Sequence, residues 1–366
     1  MRITAAVTEN KNAPFVLTPL ELDDPGPGEV IVRMVGSGLC HTDLVVRDQR
    51  YPVPLPAVLG HEGSGVVDAV GRGVSYVAPG DHVVLTFNSC GGCRMCLRGR
   101  PSCCDRFAAC NFGGARDSDG APLRRDSGTV HGLFFGQSAF ATHALATERN
   151  VVKVDRSVPL ELLGPLGCSV QTGVGAVLNS LRPEAGSSIA VLGVGPVGMS
   201  AVMAAAITGC DPIVAVDLNE QRLALAMELG ATHVVRAGEG RTVSCLRDLA
   251  GGLGTDYCLE TTAVPTVLRQ AVDALNHGGT CGVIGAPGDG VDASIDMSRI
   301  LFGRTVRGIS EGDSVPRVFI PELITLYQRG RLPFDRLIRT YDFANINQAV
   351  EDFEKGTTLK SVLTFA

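Results

Sequence analysis

Three short, glycine-flanked segments carry residues able to grip a soft metal ion. They are GLCHTD with Cys40 and His41, GHEGSG with His61 and Glu62, and GPLGCSVQTG with Cys168. Two thiolates and one imidazole, from Cys40, His61 and Cys168, make a three-ligand zinc set whose fourth position stays open. An oxygen entering that position has its pKa lowered by the ion. Taken singly, each residue has a plainer reading: a lone cysteine commonly serves as a small buried filler, and a lone histidine as a core or surface residue. A second cluster is denser. The stretch CGGCRMCLRGRPSCC, residues 90–104, holds five of the chain's 12 cysteines and contains the spacing C-x2-C-x2-C-x7-C. Four thiolates fill a tetrahedral zinc completely and leave no place for substrate, so this run reads as a staple for a surface lobe.

A third motif binds a different kind of ligand. In VLGVGPVGMSA, Gly193, Gly195 and Gly198 have G-x-G-x-x-G spacing, after a predicted strand and at the opening of a predicted helix. Asp217 ends the next strand, IVAVD, 19 residues beyond Gly198. That context distinguishes a dinucleotide fingerprint from a chance glycine run. Gly193 permits the tight turn, Gly195 lets backbone approach a pyrophosphate, and Gly198 allows close helix–strand packing. The helix N-terminus offers free N–H groups to the phosphates. Asp217 accepts from ribose hydroxyls and repels a 2′-phosphate, which favours NAD over NADP.

Composition sets bounds on everything else. The chain has 366 residues, 45% of them hydrophobic and 19% charged, with 45 glycines and a formal net charge of −6. The length suits two domains, each with its own core. No basic run is present, so a nucleic-acid partner is not expected. The N-terminal MRITAAVTENKN lacks the apolar segment of about 7–15 residues that marks a secretory signal. The longest apolar stretch, AVMAAAITG, is too short to span a bilayer. A cytoplasmic setting is expected, where thiols stay reduced and clustered cysteines point to metal rather than to disulfides.

The elements that must position these residues fall into two textures. GEVIVRMVGSGL, AVLGHEGSGVVDAVG, DHVVLTF and SAFATHALA are short apolar or alternating runs bounded by turn residues, which predicts a compact, irregular β domain. From about residue 170 strands and helices alternate. SSIAVLGVG, DPIVAVD, THVVRA, TDYCLETTA, GGTCGVIGAP and TVRGIS read as strands. PVGMSAVMAAAITG and NEQRLALAMELG read as helices, the second with Asn219 as N-cap and Gly230 as its stop. This pattern predicts a doubly wound parallel sheet. Helices around VFIPELITLYQRG and INQAVEDFEKG and a closing strand KSVLTF look like a return to the first domain.

GLCHTD, GHEGSGVV, the cysteine run, GCSVQTG and GVGPVG occur in an order that resembles the zinc-dependent medium-chain alcohol dehydrogenases, over essentially the whole chain. CHTDLVVRD, ELLGPLGC, FFGQSAFATHAL and VFIPELITLYQRG are most similar to the aryl (benzyl) alcohol dehydrogenase branch. The resemblance implies an α/β protein: a β-rich, GroES-like catalytic domain over 1–169 with a structural zinc lobe at about 88–106, a Rossmann domain over 170–310, and a return over 311–366.

It also implies roles. Cys40, His61 and Cys168 hold a catalytic zinc, Glu62 stands close enough to ligate it transiently, and Asp43 orients the ligand histidine. Thr42 receives the proton of the alcohol. Thr172 packs near the nicotinamide, His41 and Lys360 contact the cofactor pyrophosphate, and Arg222 lies near the adenosine ribose. Cys90, Cys93, Cys96 and Cys104 fit the family's structural zinc pattern, which leaves Cys103 as a spare thiol. The expected cofactors are NAD and two zinc ions per chain.

One position departs from the pattern. Many relatives have a histidine five residues after the first zinc cysteine, passing the proton on to solvent; here it is Val45. Water, or no dedicated group, is expected to complete the relay. The implied reaction is hydride transfer between NAD and a primary benzyl-type or allylic alcohol. Phe107, Phe112, Phe134, Phe135 and Phe140 either line a pocket for a planar apolar alcohol or belong to the core. Aliphatic or terpenoid alcohols and a glutathione adduct of formaldehyde are alternative substrates. A zinc-free quinone reductase of the same fold would not need the three ligands together. A zinc-ribbon interaction module would not need the NAD fingerprint. The family forms dimers or tetramers, so a homo-oligomer is expected.

Overall fold

One strand, Glu29–Gly38, organises the first unit. Its sequence EVIVRMVGSG is apolar enough to be covered on both faces, and Val30, Ile31, Val32 and Met34 are buried. It pairs antiparallel with Glu62–Val70, His143–Thr147 and Lys360–Thr364. Val151–Lys153, His82–Leu85 and Ile338–Asp342 complete a seven-stranded sheet, and register shifts near Ile31 and Met34 bend it. A five-stranded sheet is ordered Ala57–Val58, Arg2–Thr8, Phe15–Leu22, Leu123–Arg125 and Gly128–Val130. The computed structural model describes residues 1–116, 120–126, 128–238, 240–288 and 290–365.

The chain divides into two units: Met1–Cys168 with Val315–Thr325 and Phe334–Ala366, and Ser169–Ser314 with Leu326–Pro333. The second unit has six parallel strands in the spatial order His233–Arg236, Ile213–Asp217, Ile189–Leu192, Thr255–Glu260, Leu275–Val283 and Thr305–Gly308. Numbered along the chain this is 3-2-1-4-5-6, the doubly wound order, whose ligand crevice lies at the carboxyl ends of the two central strands. Ile189–Leu192 is buried throughout, as a parallel strand covered on both faces requires. Helix Pro196–Thr208 is apolar all round and has eight buried residues. Helix Glu220–Glu228 starts at Asn219, whose side chain accepts from the N–H groups of Gln221 and Arg222.

Two local differences from the sequence expectations have physical causes. Only the end of SAFATHALA enters a strand, His143–Thr147, because the backbone before it turns through positive φ at Leu133, Phe135, Gly136 and Ser138. The helical run Ser169–Gly175 and Ala176–Leu181 has no clear signal in the sequence, since Gly173 and Gly175 lower its intrinsic propensity. Both glycines are there for contact: a Cβ would come 2.1 Å from the Val197 carbonyl at Gly173 and 2.4 Å from the Gly312 carbonyl at Gly175.

Candidate active site

Sheet register assembles the first ligand pair. Gly38 faces Glu62 across the antiparallel ladder, so Cys40, two residues past one, and His61, one residue before the other, leave the sheet at the same end. Gly38 also faces Val362, which brings Lys360 to that end. Gly38 must be a glycine here: a Cβ would stand 2.0 Å from Glu62 Oε2. Cys168 closes the set from the turn after Gly164–Gly167. One ligand atom each from Cys40, His61, Glu62 and Cys168 lie within 4.8 Å of one another.

Asp43 orders the centre. Its Oδ1 lies 2.8 Å from His61 Nδ1 and accepts from the Gly60 N–H at 3.2 Å, while Oδ2 accepts from the Cys40 N–H at 2.8 Å. Nδ1 is therefore engaged, and the buried Nε2 has no hydrogen-bond partner among the described residues. A buried nitrogen without a partner is costly unless something else takes its lone pair, and two thiols beside it make that something a zinc-type ion. Electrostatics in this centre favour a thiolate beside a positive charge. Hydrogen bonding to Cys168, with the charges of His61 and Lys360, outweighs burial and holds the Cys40 thiol well below its usual range. Burial opposes a charge on His61, but Asp43 and Cys40 hold the imidazole well above its usual range.

Beside this centre is a buried ion pair. Lys360, 2% exposed, lies 2.7 Å from Glu62 Oε2 and donates to the Leu39 carbonyl at 3.0 Å. Burial pushes Glu62 up to about 7 against the pull of Lys360, and the Glu62 carboxylate raises Lys360 despite its burial. Lys360, expected at the cofactor pyrophosphate, has its ammonium turned to Glu62. His41 is exposed at the start of helix His41–Arg47, and Thr42 Oγ1 lies 3.8 Å from Cys40 Sγ. Val45, at the relay position, is 1% exposed. Phe135 stacks on the His61 ring at 4.5 Å between centroids and Phe134 meets it edge-on at 5.4 Å, with Phe107 and Phe112 packed against them. Phe140 is apart from this ring group, edge-on to Phe15, but lies in the same core cluster as Phe134 and Phe135.

Sulfurs of Cys90, Cys93, Cys96 and Cys104 form the second group within 4.8 Å, and Cys103 is not among them. Cys103 Sγ instead meets Arg100 and Ser102 at 3.8 and 3.9 Å. Helix Arg94–Leu97 in this lobe buries none of its residues, and Leu97 is 76% exposed. A lobe without an apolar core needs another constraint, and four converging sulfurs supply it. Backbone N–H groups of Gly92 and Cys93 pull the Cys90 thiol down to about 6, while burial pushes Cys96 up to about 12.

In the second unit each fingerprint glycine has its own surroundings. Gly193 has φ 92°, and a Cβ there would come 2.6 Å from Thr261 Oγ1. Nothing lies within 4 Å of a Cβ at Gly195, which leaves room for a ligand, whereas one at Gly198 would come 1.9 Å from the Gly193 carbonyl. Asp217 accepts from the N–H groups of Val194 and Asn219, both at 2.9 Å. Arg222 is half-buried, and its Nε has no hydrogen-bond partner among the described residues. Thr172 is buried and donates to Glu311 Oε2 at 3.5 Å. Thr261, absent from the sequence expectations, donates to the Gly193 carbonyl at 2.7 Å and steadies the turn; its only signal was a polar pair closing strand TDYCLE.

Comparison with known proteins decides the family. Residues 26–156 match the alcohol dehydrogenase GroES-like domain and residues 196–328 match the zinc-binding dehydrogenase domain. The chain belongs to the zinc-binding alcohol dehydrogenases. It is 46% identical over 364 residues to geraniol dehydrogenase of Castellaniella defragrans, covering 99% of this chain and 97% of that one. Benzyl alcohol dehydrogenase from Acinetobacter calcoaceticus superposes with TM-score 0.97 at 47% identity, covering 100% of both chains. A zinc-binding-domain alcohol dehydrogenase from Burkholderia ambifaria superposes with TM-score 0.97 at 54% identity, covering 100% of this chain and 99% of that one. This dehydrogenase thus has two candidate metal sites in a zinc-binding family, and NAD is the cofactor expected for that family. Among the described residues, no helix is long and apolar enough to cross a membrane.

Proposed function

We propose that this dehydrogenase oxidises primary benzyl-type or allylic alcohols to aldehydes with NAD, reversibly. The observation that carries the reading is the aromatic surround of the proposed zinc ligand: buried Phe134 and Phe135 contact the His61 ring itself, so planar apolar side chains flank the metal site. Relatives named for benzyl alcohol and for geraniol, both primary alcohols with an unsaturated carbon next to the carbinol, support the same class.

When bound, zinc supplies a Lewis acid for the alcohol oxygen and NAD supplies the hydride acceptor. The chain's residues do the rest. Cys40, His61 and Cys168 hold the metal, and Asp43 keeps His61 Nδ1 engaged so that Nε2 faces it. Thr42 Oγ1, next to Cys40, takes the proton of the substrate hydroxyl. Val45 offers no acid–base group, so water, or no dedicated group, completes the proton's path to solvent. Glu62 stays near the metal, held back by Lys360. Asp217 and Arg222 would receive the adenosine ribose, Thr172 would serve the nicotinamide and the exposed His41 the pyrophosphate, whereas Lys360 is committed to Glu62.

The test is a panel of benzyl, geranyl and short aliphatic alcohols with NAD and with NADP, followed by NAD(P)H absorbance before and after chelation. Turnover of benzyl or geranyl alcohol with NAD, abolished by chelation, is expected. Preference for short aliphatic alcohols would refute the substrate class, and turnover that survives full zinc removal would refute the metal's role. We also propose a cytoplasmic homo-oligomer. Strand Thr305–Gly308 is an edge of its sheet, and exposed Met297, Leu301 and Phe302 precede it, which supports pairing with a second copy. A monomeric mass in solution would overturn that reading.

A further inference from the structure

One buried carboxamide, given no role above, spans the backbone on both sides of His61. Gln137 is 1% exposed. Its Nε2 donates to the His61 carbonyl at 3.0 Å and to the Thr86 carbonyl at 3.2 Å, and its Oε1 accepts from the Gly63 N–H at 3.1 Å. The partners fix the orientation of the amide, because two carbonyls demand the NH2 and one N–H demands the oxygen. Gly63 is shaped for this contact: a Cβ there would come 3.0 Å from Gln137 Oε1 and closer still to Met34 and Ala139.

The chain of bonds continues to a second ligand. Thr86, also buried, donates its hydroxyl to the Gly167 carbonyl at 2.7 Å, one residue before Cys168. Gly167 lies against this strand so closely that a Cβ would come 2.0 Å from the Leu85 carbonyl. The loop presenting Gln137 has an uncommon backbone. Leu133, Phe135 and Ser138 all have positive φ, between 51° and 57°, without being glycine. Such conformations persist only where surrounding contacts over-determine them. Here Ser138 Oγ bonds the Val58 carbonyl and the Phe134 N–H, and Asn150 Nδ2 bonds the Phe135 and Gly136 carbonyls. The same loop places Phe135 on the His61 ring.

We propose that Gln137 is a positioning residue for the catalytic zinc. Through His61 and Gly63 on one side and Thr86–Gly167 on the other, its carboxamide sets the spacing between His61 and Cys168. Asp43 fixes how the imidazole is turned, and Gln137 fixes where its backbone stands. The inference rests on the zinc-site reading, since a spacing between ligands matters only if a metal is held between them.

The experiment uses the full-length zinc-loaded protein. Gln137→Glu keeps the shape but sets an oxygen against the His61 and Thr86 carbonyls. Thr86→Val removes the bond to Gly167, and Thr86→Ser restores it. Zinc release to a coloured chelator is followed for each, with the visible spectrum of the cobalt-exchanged protein as a second readout. For Gln137→Glu and Thr86→Val, release of one of the two zincs should be about 10–100-fold faster, as for other outer-shell metal partners. The other zinc should leave at the wild-type rate, the cobalt bands should shift, and Thr86→Ser should behave as wild type. The Thr86 pair carries the test should Gln137→Glu fail to fold. Wild-type release and spectra in folded Gln137→Glu and in Thr86→Val overturn the proposal, as does equal acceleration at both sites. A wild-type protein that binds a single zinc would instead overturn the zinc-site reading itself.

Discussion

Lys360 and Glu62 stand 298 positions apart in the chain and 2.7 Å apart in the fold, both almost completely buried. Removing one partner of such a pair leaves a charge stranded in a low-dielectric interior. Lys360→Met should therefore destabilise the protein by about 3–5 kcal/mol, and adding Glu62→Gln should recover most of that loss. A double-mutant cycle in urea reads the coupling; additive effects would show that the pair is not interacting.

Asp43 acts through His61. Asp43→Asn keeps the shape but weakens the hold on Nδ1, and zinc affinity or turnover should fall about 10–100-fold. The zinc held by Cys90, Cys93, Cys96 and Cys104 should be unaffected, which metal analysis after partial chelation checks.

The fingerprint glycines separate binding from stability. Gly195→Ala meets open space, so the thermal midpoint should hold while NAD affinity falls. Gly198→Ala drives a Cβ to 1.9 Å from the Gly193 carbonyl, and overpacking of this kind costs about 1–3 kcal/mol or more. Calorimetry with and without NAD distinguishes the two variants.

Sulfur choice in the lobe is testable by counting metal. Cys103→Ser should retain two zincs per chain, and Cys104→Ser should retain one and become sensitive to proteolysis near residue 97. Loss of zinc from Cys103→Ser would show that the wrong four sulfurs converge.

Cofactor preference should follow the charge at Asp217. Asp217→Asn keeps an acceptor for only one of the Val194 and Asn219 N–H groups, at some cost in stability, and removes the repulsion of a 2′-phosphate. The NADP-to-NAD ratio of kcat/KM should rise about tenfold, equivalent to about 1.4 kcal/mol.

Motifs whose function is local were readable from order and spacing alone. The fingerprint of Gly193, Gly195 and Gly198 acts within one strand–turn–helix unit, and the run from Cys90 to Cys104 brings four sulfurs together. Their residues are near neighbours in the chain, so covalent geometry does most of the positioning. The alternation of strands and helices after residue 170 likewise announced a parallel sheet, because period and length are local properties.

What lies between distant segments was decided by packing. Nothing in KSVLTF marks Lys360 as the buried partner of Glu62; the antiparallel registers that set Gly38 opposite both Glu62 and Val362 do so. FFGQSAF, likewise, hides the difference between Phe135 on the His61 ring, Phe140 in the core and Gln137 behind the metal ligands. The sequence by itself determined which residues could bind zinc and NAD, because those requirements are chemical. Tertiary structure alone decided which buried polar groups hold them, since a hydrogen-bond partner is chosen by where two backbones meet.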